Sequence, residues 1–119
     1  MTRMPTLFPP AGVRLEGGGG GGSDSHWSIQ ATADTAMPLV DLERYFADQL
    51  SKNGWLKLVD AATEQAACSV WQLSANDPWR GFLIVMASDR PDERLLQVHI
   101  QGPPFRPSGG SAMSFLSRR

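Results

Sequence analysis

The sequence has a single cysteine, Cys68, among its 119 residues. It can therefore form no disulfide within the chain and no cysteine-based metal site. It also lacks any apolar run close to the ~18–20 residues that span a bilayer, because its longest run, 82–87, has only the length of a strand. We expect Cys68 to be a small buried residue of a strand, and we expect no membrane span.

Glycine and proline are scarce in the middle of the chain and frequent at its ends. Ten of the twelve glycines lie in residues 1–25 or 102–119. Since such segments favour an extended or flexible chain, the sequence predicts an extended segment and Gly-rich linker over 1–25, an α+β domain over 26–101 and a flexible tail over 102–119. The first residues also lack the apolar stretch of a signal peptide, so we expect a cytoplasmic protein unless this is a segment of a longer exported one.

Positive charge is scarce in the predicted domain. Six basic residues stand against ten acidic ones in 26–101, which gives this part a net charge of −4. Nucleic-acid-binding domains usually carry a basic surface. We therefore predict no nucleic-acid partner.

The pattern of 26–101 predicts an α+β fold, with one amphipathic helix packed on a mostly antiparallel sheet in the order β-α-β-β-β-β. Alternation favours a first strand over 26–33. A helix opening near Pro38, which suits the first helical position, then carries apolar residues at helical spacing. These residues are Leu39, Leu42, Phe46 and Leu50.

The end of the helix is the best-specified local feature of the sequence. Gly54 can adopt the left-handed conformation that follows many helices, and Trp55 then packs on Leu50 in a Schellman motif. Turn signals separate the four strand-like stretches that follow. These stretches are 55–60, 67–75, 81–88 and 94–101.

The domain carries a set of short segments and single residues, most of them with Trp or Gly, namely His26-Trp27, Tyr45, Leu50, Gly54-Trp55, Ser69-Val70-Trp71 and Trp79-Arg80-Gly81. Together they resemble a pattern found in uncharacterised small α+β domains of bacteria, in which a helix ending in Gly-Trp feeds an antiparallel meander. The element order is also similar to that of helix-grip domains, such as those of the outer-membrane lipoprotein BamC. The resemblance implies a bacterial α+β domain and supplies no catalytic residues.

The sequence shows no recognisable catalytic or cofactor-binding motif. There is no Gly-x-Ser-x-Gly for a serine nucleophile, and the glycine run 17–22 is followed by a strand-like segment rather than by the helix that a dinucleotide site needs. His26 and His99 could bind zinc only with further ligands such as Asp24, so exposed sheet histidines are the favoured interpretation. We predict a non-enzymatic protein without metal or cofactor.

The run 82–86 makes both faces of one strand apolar, because successive strand residues point to opposite sides. One helix can cover only one of these faces, so the segment 7–15, a second subunit or a larger partner must cover the other. We therefore predict a protein-interaction or assembly module that uses the helix-free face and binds a protein partner or forms a homodimer. The candidate binding surface consists of Trp79, Arg80, Phe82, Ile84 and Met86.

Three alternatives stay open at this level. The sheet could curve around the helix into a tryptophan-lined cup for a small apolar ligand or substrate. Trp79, next to Arg80, could be a binding anchor or could fold back over the edge of the core. The segment 105–119 could be a short docking peptide or a disordered terminus.

Overall fold

The computed structural model describes residues 6–23 and 26–102, which form one helix packed on a six-stranded antiparallel sheet. The strand order is β1-β2-β6-β5-β4-β3, with the helix after β2 in the chain. The predicted α+β fold is confirmed, with one additional strand at the start. The elements are β1 (Arg14–Ser23), β2 (His26–Asp34), α1 (Leu39–Lys52), β3 (Leu56–Ala62), β4 (Ala66–Gln72), β5 (Arg80–Ala87) and β6 (Glu93–Gln101).

The glycine-rich segment forms strand β1, where its composition predicts a linker. It runs antiparallel to β2 from the pair Arg14 and Asp34 onward, with a shift of register between Gly17 and Gly19. Glycine has a low strand propensity, but pairing here satisfies backbone groups along β2 that would otherwise form an open edge. The strand is therefore imposed by its neighbour rather than by its own side chains.

The segment before β1 lies on the helix side of the sheet. Leu7 and Val13 pack against the core there, as does Leu15 at the start of β1. The side-chain amide of Gln49 on α1 accepts a hydrogen bond from the Phe8 N–H at 2.9 Å and donates one to the Phe8 carbonyl at 2.7 Å. The segment therefore belongs to the fold. It lies on the helix side of the sheet, so it does not cover the opposite face, which was one of the roles expected for the segment 7–15.

Helix α1 begins after Pro38 and buries one apolar stripe on the sheet. Pro38 precedes the first helical residue instead of occupying that position, and its carbonyl accepts the Leu42 N–H at 3.0 Å. Burying one large apolar side chain stabilises a fold by roughly 1.5–3 kcal/mol, so the stripe is a major part of the core. Its fully or almost fully buried members are Leu42, Phe46, Ala47 and Leu50.

The predicted Schellman motif at the end of α1 is confirmed. The Trp55 N–H donates to the Leu50 carbonyl at 3.1 Å, and the Gly54 N–H donates to the Ser51 carbonyl at 3.0 Å. Gly54 has a φ of 92°, in the left-handed region that favours glycine. The motif directs Trp55 into the core, where it is only 4% exposed.

The two faces of the sheet differ in what covers them. On β4, β5 and β6, alternate residues are buried on the side that α1 and the N-terminal segment cover. The residues between them are mostly half-buried and point to the other side, which we call the helix-free face. The buried set comprises Ala67, Ser69, Trp71, Gly81, Leu83, Val85, Leu96, Val98 and Ile100.

The described part of the chain ends at Gly102, which is buried against the ring of Trp79. The predicted tail, and with it the docking-peptide alternative for 105–119, therefore lies almost entirely outside the described residues. Within those residues, no helix has the length and apolar character needed to cross a membrane.

Candidate functional site

The helix-free face is divided into an apolar and a polar half. Cross-strand pairing brings Val70 next to Phe82, and Cys68 next to Ile84. These side chains, together with Met86, are half-buried and form what we call the apolar strip. The polar half, contributed by β2 and β6, comprises Ser28, Gln30, Thr32, Gln97 and His99, whereas Leu95 of β6 lies opposite Met86, next to the apolar strip.

Four of the five predicted binding residues lie on the helix-free face, because Arg80, Phe82, Ile84 and Met86 occupy alternate positions of β5. Trp79 does not lie there. It is only 9% exposed and packs in the core, with its ring against Gly102. The Asp77 carboxylate accepts the Trp79 N–H at 2.8 Å, and the chain enters β5 with the indole turned inward. The structure thus removes Trp79 from the candidate surface.

Arg80 forms a polar border at one end of the apolar strip. Its Nη1 donates to the carbonyls of Trp79 at 3.3 Å and Asp77 at 3.5 Å. Gln72, which lies opposite Arg80 in the sheet, also donates to the Asp77 carbonyl at 3.1 Å. Both side chains are therefore held against the loop between β4 and β5, at the end of the apolar strip.

Cys68 lies inside the apolar strip on β4. It is half-buried rather than fully buried, with Ile84 on one neighbouring strand and Ala61 on the other. The predicted strand position is confirmed, but the side chain faces away from the core. It contributes to the apolar character of the helix-free face.

Three of the four tryptophans pack in the core of the domain. Trp55, Trp71 and Trp79 all belong to the main hydrophobic cluster. The rings of Trp55 and Trp71 meet edge to face, with centroids 6.3 Å apart. The protein's own indole rings therefore occupy space between α1 and the sheet that a tryptophan-lined cup would need. Trp27, at the start of β2, is 40% exposed.

The two histidines meet at one corner of the helix-free face. The ring centroids of His26 and His99 are 5.8 Å apart, and His99 Nε2 lies 3.1 Å from Oε1 of Gln97. Asp24, the third ligand considered from the sequence, lies outside the described residues. In the ranges 6–23 and 26–102, the structure contains no group of three or more His, Cys, Asp or Glu side chains that could hold a metal ion.

The pKa of His99 is lowered from the ordinary value of 6.5, first because its ring is partly buried and second because it lies close to His26. The unfolded chain therefore binds a proton at a higher pH than the folded chain does. Acidification through about pH 6.5 is expected to lower the free energy of unfolding, with the loss complete below the lowered pKa.

Urea unfolding at about pH 7.5 and 5.5 measures this dependence. A His99→Gln variant removes the group with the lowered pKa, so its stability is expected to change less over the same interval. An equal pH dependence in the two proteins would show that His99 does not contribute.

A buried polar network links α1 to β4, and sequence reasoning did not identify it. Ser69 Oγ donates to Oε2 of Glu43 at 2.6 Å, and Trp71 Nε1 donates to Ser69 Oγ at 2.7 Å. All three residues are buried. The available signal was Ser69, a polar residue between Ala67 and Trp71 at an inward position of the strand. The network fixes how α1 lies along β4.

A cavity of about 180 Å³ lies beside this network, between α1 and β3. Charged residues at its wall include Arg44, Lys57 and Asp60. Lys57 Nζ is 3.0 Å from Oδ2 of Asp60 and 5.7 Å from the centroid of the Trp71 ring. The ion pair between Lys57 and Asp60 therefore lies at the mouth of this cavity, at the edge of the sheet.

The chain matches no known protein family, no curated protein and no solved structure. The resemblance to bacterial α+β domains and to helix-grip domains therefore stays a prediction from the sequence. The function is therefore inferred from the surfaces of the domain itself. The helix-free face carries most of the residues that the sequence predicts as a binding surface.

Proposed function

We propose that the chain is a non-enzymatic protein-interaction or assembly module that binds a protein surface through its helix-free face. The apolar strip is the observation that carries this proposal. It lies on β4 and β5, whose other side already forms the core. Helix α1 and the described N-terminal segment both lie on that other side, so neither covers the strip. Contiguous apolar surface of this kind usually marks an interaction site.

The surroundings of the strip suit a protein partner. Protein interfaces commonly have an apolar centre, enriched in aromatic residues and Met, within a polar rim. Phe82 and Met86 provide such a centre here. Gln97 on the polar half and Gln72 and Arg80 at the end of the strip provide hydrogen-bonding groups around it. The negative charge of the domain does not favour a nucleic-acid surface.

Replacing Ile84 with lysine is expected to weaken binding of the protein partner at least about tenfold, because the new ammonium group would be desolvated at the centre of the contact. For a partner, affinity chromatography with mass spectrometry identifies the protein, and calorimetry with the purified partner measures its binding.

Gln30→Lys is the matched control, since it adds the same charge to the exposed polar half of the same face. It is expected to retain partner binding, and circular dichroism verifies that both variants fold. Partner binding that survives Ile84→Lys unchanged, or that Gln30→Lys weakens equally, would contradict the proposed role of the apolar strip.

A further inference from the structure

Strand β3 forms an edge of the sheet with apolar side chains that are unusually open to solvent. All seven of its residues are exposed, including Leu58 at 49% and Val59 at 56%. Edge strands present backbone N–H and C=O groups that can pair with another strand. This edge therefore combines backbone pairing capacity with apolar side chains.

A bulge in β3 places two opposite charges on the same side of the strand. The register with β4 shifts between Lys57 and Val59, so that Lys57 lies opposite Trp71 and Asp60 lies opposite Ser69. Both of these β4 residues face the helix side. Lys57 and Asp60 consequently both lie on the helix side, although an unbulged strand would point them in opposite directions.

We infer that β3 pairs with β3 of a second copy of this chain, antiparallel and around a two-fold axis between Leu58 and Val59. The two sheets then become one continuous sheet, with both helices on the same side. In this register, Lys57 of each copy lies opposite Asp60 of the other. Within one chain these two residues already form an ion pair, with Nζ and Oδ2 3.0 Å apart, and both side chains are exposed, so the same charges can exchange partners across the axis. The strand is thus complementary in charge to itself, and this complementarity favours a second copy as its partner.

The pattern of faces selects the same register. Residues directly opposite each other in a sheet share a face, and Leu56 would lie opposite Ala61, both of which point to the helix-free side. A shift by one residue would place Lys57 opposite Ala61 or Val59, on different sides of the sheet. Only the register that pairs Lys57 with Asp60 places opposite charges next to each other and also keeps the opposed residues on the same side of the sheet.

The opposite edge of the sheet does not offer the same recognition. Strand β1 consists of glycine from 17 to 22, so the middle of that edge has no side chains with which to select a partner or a register. Self-association through the sheet edges is therefore directed to β3. This contact uses the edge rather than the helix-free face, so it is independent of the proposed function.

Two charge reversals test the inference. Lys57→Glu and Asp60→Lys each place like charges opposite one another twice across the two-fold axis, which destabilises strand pairing. Sedimentation velocity is expected to find a dimer for the unmodified chain. Each single variant is expected to raise the dissociation constant at least about tenfold. An equimolar mixture of the two variants restores opposite charges at both positions and is expected to recover the dimer.

Three controls separate this contact from other effects. Lys52→Glu reverses a lysine that is ion-paired on α1, away from the β3 edge, and should leave the dimer intact. Ile84→Lys should also leave it intact, because the strip lies on the face. Circular dichroism verifies that each variant folds. A monomeric unmodified chain, single variants that still dimerise, a mixture that fails to recover, or a dimer broken by Ile84→Lys would each overturn the inference.

Discussion

Replacing Trp71 with alanine is expected to lower the free energy of unfolding by about 3–5 kcal/mol. The side chain is fully buried and packs edge to face on Trp55. Its loss would leave a cavity and would also remove the donor to Ser69, which holds the carboxylate of Glu43. Small domains have about 5–15 kcal/mol of stability in total, so the variant should be close to unfolding under ordinary conditions.

Trp27→Ala is the matched control for this prediction. Trp27 is the most exposed of the four tryptophans, at 40%, and its removal is expected to cost only about 1 kcal/mol. Urea unfolding followed by far-ultraviolet circular dichroism measures both variants, since tryptophan fluorescence would change with each substitution. Equal losses of stability would show that Trp71 is not a central element of the core.

Replacing Gly81 with alanine is expected to destabilise the protein by about 1–3 kcal/mol, although the change adds only a methyl group. A Cβ at this position would overlap the ring of Trp55. That ring cannot easily move, because the Schellman motif fixes its backbone and Trp71 packs against it. The close approach of the indole to β5 is therefore what requires glycine here.

Gly17→Ala serves as the comparison, since a Cβ at this position of β1 would meet no atom within 4 Å. Alanine also restricts the unfolded chain more than glycine does, so stability should stay the same or rise slightly. The midpoints of thermal unfolding compare the two variants. A loss at Gly17 as large as that at Gly81 would contradict the explanation by overlap with Trp55.

Local signals in the sequence were sufficient for most of the elements and for the helix-free face. Gly54 and Trp55 specified the end of α1 because a left-handed glycine followed by an apolar residue has few other uses. The run 82–86 placed Phe82, Ile84 and Met86 together because strand residues alternate strictly. Both inferences concern neighbours along the chain.

The features that sequence reasoning missed depend on distant neighbours. Strand β1 forms because β2 offers an edge, and no property of the glycines themselves predicts it. Trp79 turns inward because Gly102, which directly follows β6, leaves room for its ring. The partnership of Glu43 with Ser69 joins residues 26 positions apart on two different elements. Such contacts follow from the completed fold rather than from local pattern.

The place of β2 between β1 and β6 determines when the sheet can be completed during synthesis. His26 lies opposite Gln101, so the contact spans nearly the whole domain, whereas the pairs β3–β4, β4–β5 and β5–β6 each join strands adjacent in sequence. Closing so long a loop costs entropy before any contact compensates for it. During synthesis on the ribosome, β2 therefore cannot pair with β6 until β6 has emerged. Until then Trp27 and Ile29 lack their neighbours across the sheet, Ile100 and Val98.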